Sequence, residues 1–400
     1  MKFYFLYLIF LLIGISCISN CQNPSSDVSA TYIEQAQAIL RDSVIQLADR
    51  YLGEPIVTVT AHTCARSAGG VHDFYSEGDY WWPDTTNPDS PFVRRDGMSY
   101  PDAFFSHRES LMRLSEIVGS LTSAYLLTED TNYAARALAH CEAWFMTDST
   151  HMNPHFLYAQ AIKGRHTGRG IGIIDGIHFV DVFQSLHVLE RRGLIPAKDL
   201  VAYKQWVDDF LNWHMNHPYG KAEMIHPNNH SMYFNLQVAM YAVFSENDRV
   251  LQFCRENFTE RLLPVQMAAN GSFPLELERT KPYEYSLFNL DGAAINCQIL
   301  SDTSHNFWIF ESADGKSMRK ALDYMQPFVD DKTQWPLPPD VMYWEAWPIG
   351  HPAYLLGALA FEKEDYFQTW NQHAHFSQSF EVRRTRTIKN PLIWIMNESN

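Results

Sequence analysis

Basic residues are scarce in this chain, with 31 Lys and Arg against 46 Asp and Glu, for a net charge of -15. That balance argues against nucleic acid as a partner. It admits a polyanionic ligand only if a few cations, among them Arg94, Arg95, Lys163, Arg165, Arg169 and Arg279, converge on one place. Long apolar runs are missing too: beyond the N-terminus no window reaches ~18 apolar residues, so no membrane-spanning helix is expected. There are six cysteines, and the four beyond the N-terminus (Cys64, Cys141, Cys254, Cys297) are widely spaced and form no CxxC pair. They read as buried thiols or an occasional disulfide rather than a metal cage. Also absent are a Gly/Ser or Pro-rich linker, a fixed-period repeat, an HExxH and a GK[ST] loop, which leaves one large domain and neither a zinc-protease nor a P-loop signature.

What is present begins with Met1-Lys2 and the apolar run Phe3 to Ile15, followed by small and polar residues around Cys17 and Cys21. This reads as an export signal over residues 1–21, and either cysteine could be the lipidated residue of a lipoprotein. Residues 22–30 then read as a tether. The expected location is the periplasm or the outer membrane, with membrane contact only through a lipid anchor.

Apolar residues recur at three- and four-residue spacing in Tyr32–Arg50, His107–Leu127, Tyr133–Phe145, Gly176–Arg191, Lys198–Met215, Ser231–Phe244, Arg249–Leu263, Ser286–Leu300, Ser317–Phe328 and Pro352–Ala360. Strand-like alternation is confined to the tail, where Phe376–Thr387 and Pro391–Met396 are ambiguous. The pattern predicts an all-α fold over 31–400: paired antiparallel helices in an incomplete (α/α) toroid, with a short C-terminal appendage.

Three loops stand out. Tyr80-Trp81-Trp82-Pro83-Asp84, running on to Arg94-Arg95, supplies rings that stack on pyranose faces and guanidinium groups that bind carboxylates, or else rings that plug the end of the toroid. Met152-Asn153-Pro154 leads to Gly168-Arg169-Gly170-Ile171-Gly172, a tight connection beneath a groove into which Arg169 can point. His214, His217, His226 and His230 cluster in sequence, but Pro218 and Pro227 break their helical spacing and no metal or other cofactor is expected.

The most informative stretch runs from His226 to Tyr285. Elimination across C4–C5 of a 4-linked uronic acid removes a C5 proton that is too weakly acidic unless the adjacent carboxylate is neutralised. Asn229 and Arg279 suit that neutralisation, His230 suits a second base or an orienting group, and Tyr285 suits the base and acid once a guanidinium stabilises its phenolate. Taken singly, the same residues also have plain structural readings. Asn228 or Asn229 could cap a helix, Arg279 could pair with Glu276 or Glu278, and Tyr283 and Tyr285 could be core edges.

Together, Tyr80-Trp-Trp-Pro-Asp84 with Arg95-Asp96-Gly97, Met152-Asn-Pro154 with Tyr158-Ala-Gln160, Gly168-Arg-Gly170 and Asn228-Asn-His230 resemble the serial motifs of the alginate lyase superfamily, polysaccharide lyase family 5 and its relatives. The resemblance covers roughly Asp73 to Leu300. It implies an (α/α) toroid and metal-independent β-elimination, with Asn229, His230 and Arg279 around the carboxylate and Tyr285 as base and acid. It also implies an acidic polysaccharide as partner, and the residues read here as binding it are Asn228, Tyr80, Trp81, Trp82, Arg94, Arg95, Asn153, Arg169 and Tyr283. Where family 5 carries a Tyr-His-Asn-Tyr-like segment, this chain has Tyr283-Glu-Tyr285-Ser-Leu-Phe, which is more similar to family 38, the glucuronan and alginate lyases of Bacteroidetes. Tyr283 is therefore a second candidate base. Two other classes stay open: a toroid glycoside hydrolase using Asp175, Glu276, Glu278 or Glu345, and a non-catalytic glycan-binding lipoprotein.

Overall fold

The computed structural model describes residues 24–87 and 89–396. The expected export signal, with Cys17 and Cys21, lies outside the described residues. Of the expected tether, residues from Pro24 onward are instead helical, and Ser29 Oγ donates to the carbonyl of Leu359, tying this end to the body of the protein. No helix among the described residues is long and apolar enough to cross a membrane.

The longer helices are α1 (Pro24–Leu52), α2 (Ser106–Thr128), α3 (Thr131–Phe145), α4 (Phe179–Arg191) and α5 (Ala197–Asn216). After the short α6 (Pro218–Met224) come α7 (Asn229–Phe244), α8 (Asp248–Asn257), the single turns α9 (Leu263–Gln266) and α10 (Pro274–Leu277), and then α11 (Pro282–Leu300). The chain closes with α12 (Met318–Asp330), α13 (Pro352–Phe361), α14 (Glu364–Asn371), α15 (Phe380–Thr385) and α16 (Leu392–Ile395). Helices α2, α4, α7, α11 and α13 pack each on the next as an inner row. Helix α1 packs on both α2 and α13 and bridges the two ends of that row. An inner helix has no solvent face, and almost every residue of α7 and α11 is buried. Between these two, Tyr233 stacks on Phe288 with centroids 3.9 Å apart and Asn235 donates to Asn296 at 2.8 Å. The outer helices α3, α5 and α8 show the one-sided burial of amphipathic helices.

Two differences from the sequence expectation position the site. The run expected to begin at Ser286 starts at Pro282, because the Asp340 carboxylate accepts from the backbone N–H groups of Tyr283 and Glu284, each at 3.0 Å, and caps the helix from a distant loop. Tyr283 and Tyr285 therefore sit in a helical first turn, two residues and about 200° apart, and face different ways. The C-terminal stretch is not an appendage either. It contains α15 and α16, and residues 386–395 are buried, with the backbone N–H groups of Lys389 and Asn390 and the indole of Trp394 all donating to the buried Asp181 on α4. Gly119 of α2 makes room for it, since a Cβ there would collide with the Asn390 amide.

Among the described residues, strand is limited to two small pairs. Tyr75–Glu77 (β1) pairs in parallel with Tyr158–Ala161 (β4), and Trp81–Trp82 (β2) pairs antiparallel with Val93–Arg94 (β3), so the aromatic loop is a hairpin laid over the N-terminal ends of the inner helices.

Candidate active site

At that end lies a cavity of about 390 Å³, lined by residues from the β2–β3 hairpin, the 170–178 turns, the start of α7, the start of α11 and the C-terminal segment. It collects Tyr80, Trp81, Arg94, Arg169, Asn228, Asn229, His230, Arg279 and Tyr285.

Asn228 is the N-cap of α7, its Oδ1 accepting from the His230 N–H, and this places Asn229 and His230 in the first turn with their side chains at the cavity. The Asn229 N–H donates to the buried Glu276 carboxylate at 2.8 Å, while its Nδ2 is left without a well-formed hydrogen bond among the described residues. His230 Nδ1 lies 2.6 Å from the Glu223 carboxylate, which is 1% exposed. This contact holds the ring with Nδ1 toward Glu223 and directs Nε2 away from it.

Arg279 is paired with Asp96 at 3.2 Å, not with Glu276 or Glu278, and its guanidinium lies 4.1 Å from the centre of the Tyr285 ring. The Tyr285 hydroxyl is 2.6 Å from that of Tyr80. A buried Lys281 sits 5.2 Å from the Tyr285 ring and 5.7 Å from the Tyr80 ring, ion-paired with Glu284 at 2.6 Å and with Glu381. Burial, and then Tyr80, push the Tyr285 phenol well above its ordinary range, while Lys281 and Arg279 pull the other way.

The floor is a charge network. Arg108, with no exposed surface, bridges Asp79 at 2.6 Å and Asp175 at 3.0 Å, and Arg384 reaches Asp79 at 3.0 Å. Ser76 and Gln160 also donate to Asp175. Arg169 donates to the Gln160 carbonyl, and burial lowers its pKa to about 10. The glycine segment does pass tightly beneath: a Cβ at Gly172 would lie 2.6 Å from Ala159.

Several predicted binding residues are not brought here. Tyr283 is fully buried on the far side of α11, its hydroxyl donating to the Phe328 carbonyl at 2.9 Å between Trp335 and Trp344, so it is a core residue. Trp82 donates to the Met98 carbonyl and packs on Tyr100, with Arg95 over its ring at 4.8 Å; both belong to the outside of the hairpin. Asn153 donates to Asp73 at 2.7 Å and braces a loop. Trp81 lines the cavity and carries Arg165 and Arg169 against its ring, at 5.4 and 5.8 Å.

Conversely, Glu223, Arg108, Lys281, Arg384 and Thr385 escaped the sequence reading. The i, i+7 spacing of Glu223 and His230 across a helix break carries no local signal, and the tail residues lack a motif.

The hydrolase candidates fare poorly. Glu278 and Glu345 are exposed, and Glu276 is committed to the α7 N-terminus. The two carboxylates lining the cavity, Asp79 and Asp175, are both neutralised by arginine. No group of three His, Cys, Asp or Glu suited to a metal assembles among the described residues; His214 is buried, donating to the Phe210 carbonyl, and His217 caps α6. Cys64, Cys141, Cys254 and Cys297 are free thiols.

The alginate lyase family model matches residues 58–335. The chain belongs to the alginate lyase family. It is a polysaccharide lyase on a mostly helical, toroid-like fold. An alginate lyase from Bacteroides ovatus superposes with a TM-score of 0.79 at 27% identity, over 92% of this chain and 97% of that one. Alginate lyase A1-III from Sphingomonas species A1 matches with a TM-score of 0.52 at 12% identity, over 81% and 88% of the two chains. A variant of A1-III complexed with tetrasaccharide gives 0.55 at 13%, over 86% and 91%. The A1-III matches speak to the fold alone. No curated protein matches the sequence. The family match ends before the tail, so Arg384 enters this lyase's cavity from outside the matched region.

Proposed function

We propose that the lyase cleaves a 4-linked uronic acid polymer, such as polymannuronate or glucuronan, by β-elimination with Tyr285 as the base. The observation that carries this reading is the placement of the Tyr285 phenol under the Arg279 guanidinium in a cavity that also holds Asn229 and His230. A uronate carboxylate set against Asn229, His230 and Arg279 has its charge dispersed, and the enolate-like charge that develops at C5 deprotonation meets preorganised donors. Tyr285, as phenolate, takes the C5 proton. The same oxygen, or Tyr80 hydrogen-bonded to it, returns a proton to the leaving O4. Donor and acceptor at one spot suit substrates whose C5 hydrogen and O4 lie on the same face, as in mannuronate and glucuronate, better than guluronate. Arg94, Arg169 and Trp81 provide for neighbouring units of an acidic chain. A tetrasaccharide bound to A1-III, a protein of the same fold, supports an oligosaccharide ligand here.

The test offers purified, chelator-treated protein polymannuronate, polyguluronate and glucuronan separately and follows the ultraviolet absorbance of the new C4–C5 double bond. Turnover of polymannuronate or glucuronan with polyguluronate slowest is expected; exclusive action on polyguluronate contradicts the same-face geometry. The reading includes export through residues 1–21 with lipidation at Cys17 or Cys21, which cell fractionation and fatty-acid labelling of cysteine variants test.

A further inference from the structure

A second cavity, of about 320 Å³, lies between the end of α1, the middle of α2 and the C-terminal segment. In a chain of net charge -15 its lining is strongly basic: Arg50, Arg113, Arg383, Arg386 and Lys389 against Glu54 and Glu116. Both carboxylates are already taken, Glu54 by Arg113 at 2.5 Å and Glu116 by a bidentate Arg383 at 2.8 and 2.9 Å. Arg386 and Lys389 are only 7% and 8% exposed, and among the described residues neither has a carboxylate at ion-pair distance. Arg386 donates to the carbonyls of Ile388, His375 and Gly350, and Lys389 Nζ to the Arg386 carbonyl and to His178 Nδ1 at 2.8 Å. Glu116, Asp181 and Asp291 act on this pair only over longer range. Buried cations without a counterion are costly, and burial draws Lys389 down to about 8. The arrangement is that of a site awaiting a negative charge.

We propose that this cavity is a second anion site and that it takes the carboxylate of a uronic acid unit. A bare inorganic anion would use the cations alone. Here Ser377, Gln378 and Tyr51 add neutral hydrogen-bonding groups, and Phe376 offers a partly exposed ring, the provisions a sugar needs for its hydroxyls and its apolar face. The choice of sugar rests on the uronate-lyase reading, whereas the unmatched charge does not. The two cavities share a wall. Arg383 serves one and its neighbour Arg384 the other, and Lys389 binds His178, which lines the catalytic cavity. A carboxylate in the second site therefore holds the segment that supplies Arg384.

Calorimetric titration with sodium glucuronate, and separately with sodium sulfate, tests this on the full chain without reading turnover. The variants are Lys389→Met, Arg50→Gln on the rim, and Arg279→Gln in the catalytic cavity. Glucuronate is expected to show a saturable component that survives Arg279→Gln and weakens about tenfold in Lys389→Met. Weakening of about threefold is expected in Arg50→Gln, which stands in if the buried change prevents folding. Sulfate is expected to compete for the same component more weakly. Loss of all glucuronate binding in Arg279→Gln, with both other variants unaffected, would confine the ligand to the catalytic cavity and overturn the proposal. Sulfate binding that glucuronate cannot displace overturns the sugar assignment, and absence of binding by either overturns the site. Binding without any lyase turnover would leave the anion site standing and remove the proposed function.

Discussion

The phenol oxygens of Tyr80 and Tyr285 lie 2.6 Å apart, joining a residue of the β2–β3 hairpin to the first turn of an inner helix. One hydroxyl donates and the other accepts, so the pair behaves as one proton-handling unit. Tyr285→Phe is expected to lower kcat by at least about a thousandfold, while Tyr80→Phe, which leaves the proposed base in place, is expected to cost about ten- to a hundredfold. The checks are initial rates of double-bond formation and unchanged thermal unfolding. Equal losses in the two variants would make Tyr80 a full partner.

The contact between His230 and Glu223 yields a second prediction. Glu223→Gln keeps the size but removes the carboxylate that orients the imidazole, so kcat/KM is expected to fall about a hundredfold with the fold intact. A metal requirement would be foreign to this account: chelator treatment is expected to leave both proteins' rates unchanged.

The pH dependence follows from the direction of the Tyr285 shift. A phenol held well above its ordinary value by burial and by Tyr80 is protonated at neutral pH, so the reactive phenolate grows as pH rises. On this limb kcat/KM is expected to rise about tenfold per pH unit. The double variant Lys281→Met, Glu284→Gln removes a buried cation together with one of its carboxylates, leaving Glu381 paired with Arg384. It is expected to move the limb to higher pH, because Lys281 opposes the rise more strongly than Glu284 adds to it. A limb that stays put would make Lys281 purely structural.

How much of this was legible beforehand depends on how far each residue's partners lie along the chain. Asn228, Asn229 and His230 were readable because a cap and its helix are local, and the helix face follows from the cap. The ten periodic runs marked helices for the same reason. Tyr283 and Tyr285 could not be told apart, because the helix start is set by Asp340, over fifty residues away. Glu223, Arg108 and Arg384 act through ion pairs between distant segments, which composition and spacing do not encode. The tail looked ambiguous because its periodicity is short; its burial is dictated by Asp181 and Gly119.

Tyr283 now provides a control. Its buried hydroxyl donates to the Phe328 carbonyl, so Tyr283→Phe is expected to cost about 1 kcal/mol of stability by denaturant titration while keeping full elimination activity. A loss of activity matching that of Tyr285→Phe would reinstate it as the base.

Acid stability follows from three histidines, His140 and His214 buried and His375 half-buried. His140, His214 and His375 are each held near about 4, chiefly by burial. The unfolded chain protonates them near their ordinary value, so their contribution is complete above about 6.5 and is lost as pH falls through about 4. His214, with no exposed surface, alone contributes on the order of 3 kcal/mol across that window. Denaturation midpoints between pH 7 and pH 4 are expected to fall, and His214→Phe is expected to flatten the slope.

The central claim is elimination without a free catalytic carboxylic acid, and it is met most directly by measuring double bonds and new reducing ends in the same digest of polymannuronate or glucuronan. The two are expected to appear in equal number from the first minutes, and both to vanish in Tyr285→Phe. Reducing ends that accumulate without the double bond would mean hydrolysis, and the assignment of Tyr285 as the base would fall with it.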